Sequence, residues 1–141
     1  MYLDSAILVK LFIPEPDSAF YAKFVDEQVL FSSAIAFTEV FSAMLAKERQ
    51  GSITTKQREA GWLQFAQNVD DQSIHLVDVT SPVLKKANRI LQELQLHVPL
   101  RTLDAIHLAT CDIVQEWPLS TNDKRMKQAA EYLRFSLAPI P

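Results

Sequence analysis

Two rhythms of apolar residues alternate along the chain. Short apolar runs at 1–3, 29–32, 74–79 and 118–121 predict strands, and a last run at 134–137 predicts an edge strand. Between them apolar groups recur at helical spacing. One helix follows Asp4 over 5–12, and a second, capped by Asp17, runs to about Gln28 with Phe20, Phe24 and Val25 inward. Ser33 is the expected N-cap of a third that ends near Gln50, with Gly51 as its C′ residue. Thr54 or Thr55 opens a fourth, with Trp62, Phe65 and Ala66 as its stripe, and Thr80 or Ser81 opens a fifth with Pro82 in its first turn. Pro99 separates that helix from one at 100–114, and Asn122 or Asp123 opens the last, over 124–133. Strands alternating with helices predict an α/β fold, a three-layer α/β/α arrangement around a short, mainly parallel sheet. Sites in such folds form beyond the carboxyl ends of the strands.

The segment 100–114, LRTLDAIHLATCDIV, is apolar on most sides and is expected to be buried on more than one of them. Asp104 lies inside it. Burying a carboxylate is costly unless an Arg, a His or a metal ion neutralises it. Arg101 and His107 are the local candidates. Three more acids have related positions. Asp4 and Asp123 each fall just past a predicted strand, and Glu39 follows one by less than two helical turns. All four are expected to meet at one end of the sheet.

Composition removes several function classes. Only two glycines occur, Gly51 and Gly61, so no Gly-rich phosphate loop is available. Cys111 is the sole cysteine, which excludes an internal disulfide and a cysteine-based zinc site. The start MYLD has no signal-peptide character, and no apolar run approaches the roughly 20 residues of a membrane helix. A cytoplasmic protein with a single domain over 1–141 is expected. The net charge of −3 gives no global attraction for nucleic acid, so binding would need a local basic patch.

Acids sharing one pocket repel unless a cation joins them. Mg²⁺ or Mn²⁺ suits such oxygen donors, and these ions support phosphodiester chemistry. At this point the motifs carry a resemblance. Asp4 and Ser5 in MYLDSAILVKLF, Glu39 in SSAIAFTEV, Asp104 in LDAIHLAT and Asp123 in STND resemble the acidic motifs of PIN-domain nucleases, most closely the VapC-type toxins of toxin–antitoxin pairs. The resemblance spans the chain from Met1 to about Leu137. It implies an endoribonuclease dependent on Mg²⁺ or Mn²⁺, a homodimer, and a small antitoxin partner. It also carries over Asp4, Glu39, Asp104 and Asp123 as the acidic site. In that scheme Asp4 and Asp104 are direct ligands, and Glu39 ligates or positions the attacking water. Asp123, with Asn122 able to share its role, stands behind the direct ligands or at a second metal ion. Ser5 would hold a ligand water or a phosphate oxygen.

Plainer readings compete. Asp123 and Asp4 are good N-cap residues, Glu39 can pair with Lys47, and His107 reads as a satisfied core histidine with a hydrogen bond to Asp104 open to it. Lys10, Arg101, Lys124 and Arg125, each close to an acidic motif, are candidates for RNA contact, with ion pairing as the alternative. Phe37, Phe41, Met44, Trp62 and Phe65 read as core or as a groove for a partner helix. Two other functions compete on the same residues. A non-catalytic binding module is disfavoured because all four acids are present. A phosphoryl-signalling domain would need a second acid beside Asp4, or a phosphatase one two residues on, where Ser5 and Ala6 stand.

Overall fold

The computed structural model describes residues 1–141. In chain order the elements are β1 (Tyr2–Leu3), α1 (Ser5–Phe12), α2 (Ser18–Phe24), β2 (Leu30–Ser33), α3 (Ala36–Arg49) and α4 (Thr55–Asp70). There follow β3 (Ile74–Val77), α5 (Ser81–Leu94), α6 (Thr102–Val114), β4 (Leu119–Ser120) and α7 (Lys124–Tyr132). The four strands form one parallel sheet in the order β3-β2-β1-β4. The expected α/β architecture is present.

Two residues of β1 show how the layers are built. Successive side chains of a strand point to opposite faces. Tyr2 enters the core formed with α5, α6 and α7, whereas Leu3 enters the one formed with α1, α3 and Phe65 of α4. Both are fully buried. Helices therefore cover both faces, which is why these strands read as short apolar runs without polar alternation.

Several local expectations are corrected. The α2 helix stops at Phe24, not Gln28, and Asp17 at its N-cap makes no capping bond because its carboxylate takes Lys10 Nζ. Ser33 does not cap α3. It is the last residue of β2, and Ile35 holds the cap position without a side-chain bond. The third strand ends at Val77, and Thr80 precedes α5 without a side-chain cap. The expected edge strand at 134–137 contracts to a single bridge, Leu137 parallel to Leu119. By contrast, Thr54 and Gln57 form a reciprocal capping box at α4, and Gly51 takes φ +75° after α3. Gly61 has a packing role. A Cβ there would stand 2.8 Å from Ile13 Cδ1 and 2.8 Å from the Phe12 carbonyl oxygen, so α4 lies against the end of α1. Met44 and Phe65 are buried, while Phe37 is 41% exposed and packs edge-on against Trp62.

Strand order decides where a site can form. The chain winds from β1 to β2 and β3, then returns to place β4 on the other side of β1. The order thus reverses between β1 and β4, and the crevice beyond their carboxyl ends is where ligands bind in open α/β sheets. Asp4 follows β1 and Asp123 follows β4 by three residues.

Candidate active site

Each of the four acids stands in the first turn or N-cap of a helix. Asp4 caps α1, its Oδ1 accepting from the Ile7 N–H at 2.9 Å. Asp123 caps α7, its Oδ1 accepting from the N–H groups of Arg125 at 2.8 Å and Met126 at 3.0 Å. Glu39 and Asp104 lie in the first turns of α3 and α6. Helix N-termini carry partial positive charge, which favours carboxylates there. Capping and site formation are therefore compatible for Asp4 and Asp123.

The four side chains line one cleft of about 250 Å³, together with Ser5, Arg101 and His107 among others. Two basic side chains, Arg101 and His107, hold three of the acids. Arg101 donates through Nε to Asp104 Oδ2 at 2.8 Å, and through Nη2 to Asp104 Oδ1 at 3.2 Å and Asp123 Oδ2 at 2.9 Å. His107 Nε2 lies 2.8 Å from Glu39 Oε2, and the Ser5 hydroxyl donates to the same oxygen. A carboxylate only accepts, so His107 Nε2 carries a hydrogen. His107 Nδ1 faces the buried Tyr2 hydroxyl at 2.9 Å.

These pairings leave out Asp4, which is only 4% exposed. Burial raises its pKa above the ordinary carboxylate range, and the nearby Thr121 hydroxyl and the bond from the Ile7 N–H offset this only in part. Burial also pulls Glu39 upward, but hydrogen bonds from His107 and Ser5 with the charges of His107 and Arg101 outweigh it, so its pKa is lowered. As the side chains stand, no three acidic, His or Cys groups are gathered into a ready ligand set. Arg101 and His107 hold the oxygens such a set would use. The donors nonetheless fit a hard divalent cation, because a buried carboxylate outside any ion pair needs positive charge beside it.

The other sequence candidates fall in different places. Asn122 Oδ1 accepts from the Tyr21 hydroxyl at 2.6 Å. Lys124 is exposed at the start of α7. Arg125 reaches the Pro99 carbonyl at 3.5 Å. Lys10 does not reach the cleft. Its Nζ is 2.8 Å from Glu15 and 2.7 Å from Asp17, beside an apolar hollow that includes Phe12, Ile13 and Pro14. Lys47 pairs with Glu15 at 2.8 Å, so Glu39 is free of it. His107 is the residue that sequence reasoning undervalued. Its partner is Glu39, not Asp104, and the available signal was a polar side chain on the buried side of an apolar helix.

Comparisons with known proteins bear on the family and the fold. The PIN domain profile covers residues 1–132. Ribonuclease VapC46 of Mycobacterium tuberculosis (strain ATCC 25618 / H37Rv) is 36% identical over 140 residues, spanning 97% of this chain and 95% of that protein. A solved chain from a toxin–antitoxin complex of Klebsiella pneumoniae superposes with a TM-score of 0.59, covering 88% of each chain. At 17% identity that likeness speaks to the fold alone. On the profile and the VapC46 similarity together, this chain belongs to the PIN domain family.

Proposed function

We propose that this protein is a metal-dependent endoribonuclease of the VapC type, the toxin of a toxin–antitoxin pair. The observation that carries the reading is the convergence of Asp4, Glu39, Asp104 and Asp123 in one cleft at the sheet's reversal point. The full-length similarity to a ribonuclease supports it. A small antitoxin protein is the proposed partner, the protein acts as a homodimer, and Mg²⁺ or Mn²⁺ is the proposed cofactor.

Asp4 and Asp104 would hold the ion directly. Glu39 would ligate it or position the attacking water, and Asp123, with Asn122 beside it, would complete the acidic wall. When bound, a divalent ion supplies an acidified water and offsets charge on the phosphodiester. The chain's own residues prepare the rest. The hydroxyl of Ser5 is placed to bind a water or a phosphate oxygen. His107 and Ser5 fix the orientation of Glu39 from two sides. Arg101 and Lys124 supply the local positive charge that a chain of net charge −3 needs to hold RNA. Lys10 is left out of this set, since Glu15 and Asp17 already neutralise it.

The test is cleavage of RNA by the purified protein in Mn²⁺, in Mg²⁺ and in chelator. Cleavage is expected with either ion and not in chelator. Asp4→Asn and Asp104→Asn are each expected to abolish it while the fold persists. Unchanged cleavage in both variants would overturn the reading and favour a non-catalytic module.

A further inference from the structure

We propose that Arg101 is a built-in cation of the acidic cleft, which yields Asp104 and Asp123 to the metal ion and then grips the RNA backbone. The inference rests on the metal-dependent nuclease reading of that cleft. It adds a coupling between metal and RNA that runs through one side chain.

The geometry carries it in three steps. First, the guanidinium occupies the oxygens an ion would need, with both oxygens of Asp104 and Oδ2 of Asp123 on its fork. Ion and guanidinium would carry like charge at nearly the same place, so they exclude each other. Second, the two partners differ in freedom. The side chain of Arg101 is 57% exposed, whereas that of Asp104 is 9% exposed and its Oδ2 also lies 3.3 Å from the Arg101 backbone N–H. The carboxylate is therefore the fixed partner and the arginine the movable one. Pairs with so exposed a member are weak, and releasing one costs little. Third, the arginine has somewhere to go. It also lines an adjoining hollow of about 370 Å³, with Glu39, Thr102, Leu103 and Asp104 on its walls. A phosphate oxygen there would meet the same fork geometry that now holds a carboxylate.

Linkage then fixes the sign. Metal entering the cleft frees the guanidinium for phosphate, and phosphate capturing the guanidinium frees the carboxylates for metal. Removing Arg101 should therefore move two affinities in opposite directions.

The experiment titrates Mn²⁺ into metal-free wild type, Arg101→Gln and Arg125→Gln without RNA, followed by calorimetry or by the paramagnetic signal of free Mn²⁺. Arg125→Gln removes the same charge from a side chain that bonds the Pro99 carbonyl and no carboxylate. Arg101→Gln is expected to bind Mn²⁺ about fivefold more tightly than wild type, and Arg125→Gln to differ by less than about twofold. With saturating Mn²⁺, Arg101→Gln should show a raised KM for RNA. Circular dichroism confirms folding, and Arg101→Lys, which keeps a charge but loses the fork, should fall between wild type and Arg101→Gln in both measurements. Mn²⁺ affinity that is unchanged or weaker in Arg101→Gln overturns the proposal, as does an equal gain in Arg125→Gln. Failure of the wild type itself to bind Mn²⁺ overturns the reading of the cleft, and this proposal with it.

Discussion

His107 Nε2 stands 2.8 Å from Glu39 Oε2, joining the middle of α6 to the first turn of α3 beneath the cleft. Behind it, the Tyr2 hydroxyl braces Nδ1 at 2.9 Å. Burial raises the Tyr2 pKa well above its usual value, so the phenol stays protonated there. Such bracing of an acidic group is worth about 10- to 100-fold in metal affinity or activity where it has been tested. His107→Ala is expected to lose cleavage by that order, Tyr2→Phe less, and His107→Gln to recover part through its amide N–H. The check is kcat and KM for each variant beside its Mn²⁺ affinity. Wild-type values in His107→Ala would mean that Glu39 needs no brace.

Asp4 sets function against stability. Its carboxylate is buried with a raised pKa, so its ionised form is disfavoured in the fold. Asn at this position keeps an oxygen to accept from the Ile7 N–H. Asp4→Asn is therefore expected to abolish cleavage yet raise the melting temperature of the metal-free protein by about 2–4 °C, the shift for roughly 1 kcal/mol in a chain of this size. The gain should grow as pH rises above the ordinary carboxylate range and should vanish in acid, where the carboxyl is protonated in both folded and unfolded chains. Mn²⁺ should raise the Tm of wild type and leave the variant nearly unmoved. A lower Tm in Asp4→Asn would count against this.

Lys10, Lys47, Glu15 and Asp17 form a charge cluster away from the cleft. Burial raises the Glu15 pKa, but the two lysines more than offset it and lower it overall, and Lys10 lowers that of Asp17. A lowered carboxylate contributes stability that is complete above its unfolded value and is lost as pH falls through the folded one. Lys10→Met should thus cost about 1 kcal/mol at neutral pH and flatten the decline in Tm below pH 5. Its RNA cleavage should match wild type. A large loss of cleavage would return Lys10 to the RNA surface.

Gly61 opposes two effects of known sign. Replacing a helix-interior glycine by alanine gains about 1 kcal/mol from propensity. Here the new methyl would meet Ile13 Cδ1 and the Phe12 carbonyl oxygen, both at 2.8 Å, and the backbone oxygen cannot swing aside. Overpacking of that kind costs about 1–3 kcal/mol. Gly61→Ala is expected to lower stability in chemical denaturation. A net gain would show that α4 can shift on α1.

What the sequence determined by itself was local. Period and punctuation located the helices and most strands, because helix register, capping at Thr54 and the positive φ at Gly51 depend on near neighbours. The alternation of strand and helix set the architecture, and motif order singled out the four acids. Ser33 misled because a serine before an apolar helical stretch resembles a cap, while strand pairing with Val77 claimed it for β2. The 134–137 segment misled because an edge strand needs a partner along its length, and β4 is only two residues long. Partner choice among charges was not written locally at all. Lys10 lies six positions after Asp4 yet turns to Glu15 and Asp17, and His107, one turn from Asp104, turns to Glu39. Arg101 stays with Asp104 and adds Asp123, 22 positions along the chain. Charge interactions depend on distance and burial after folding, so only the packing of α3, α6 and α7 around β1 and β4 could decide which charge each acid meets.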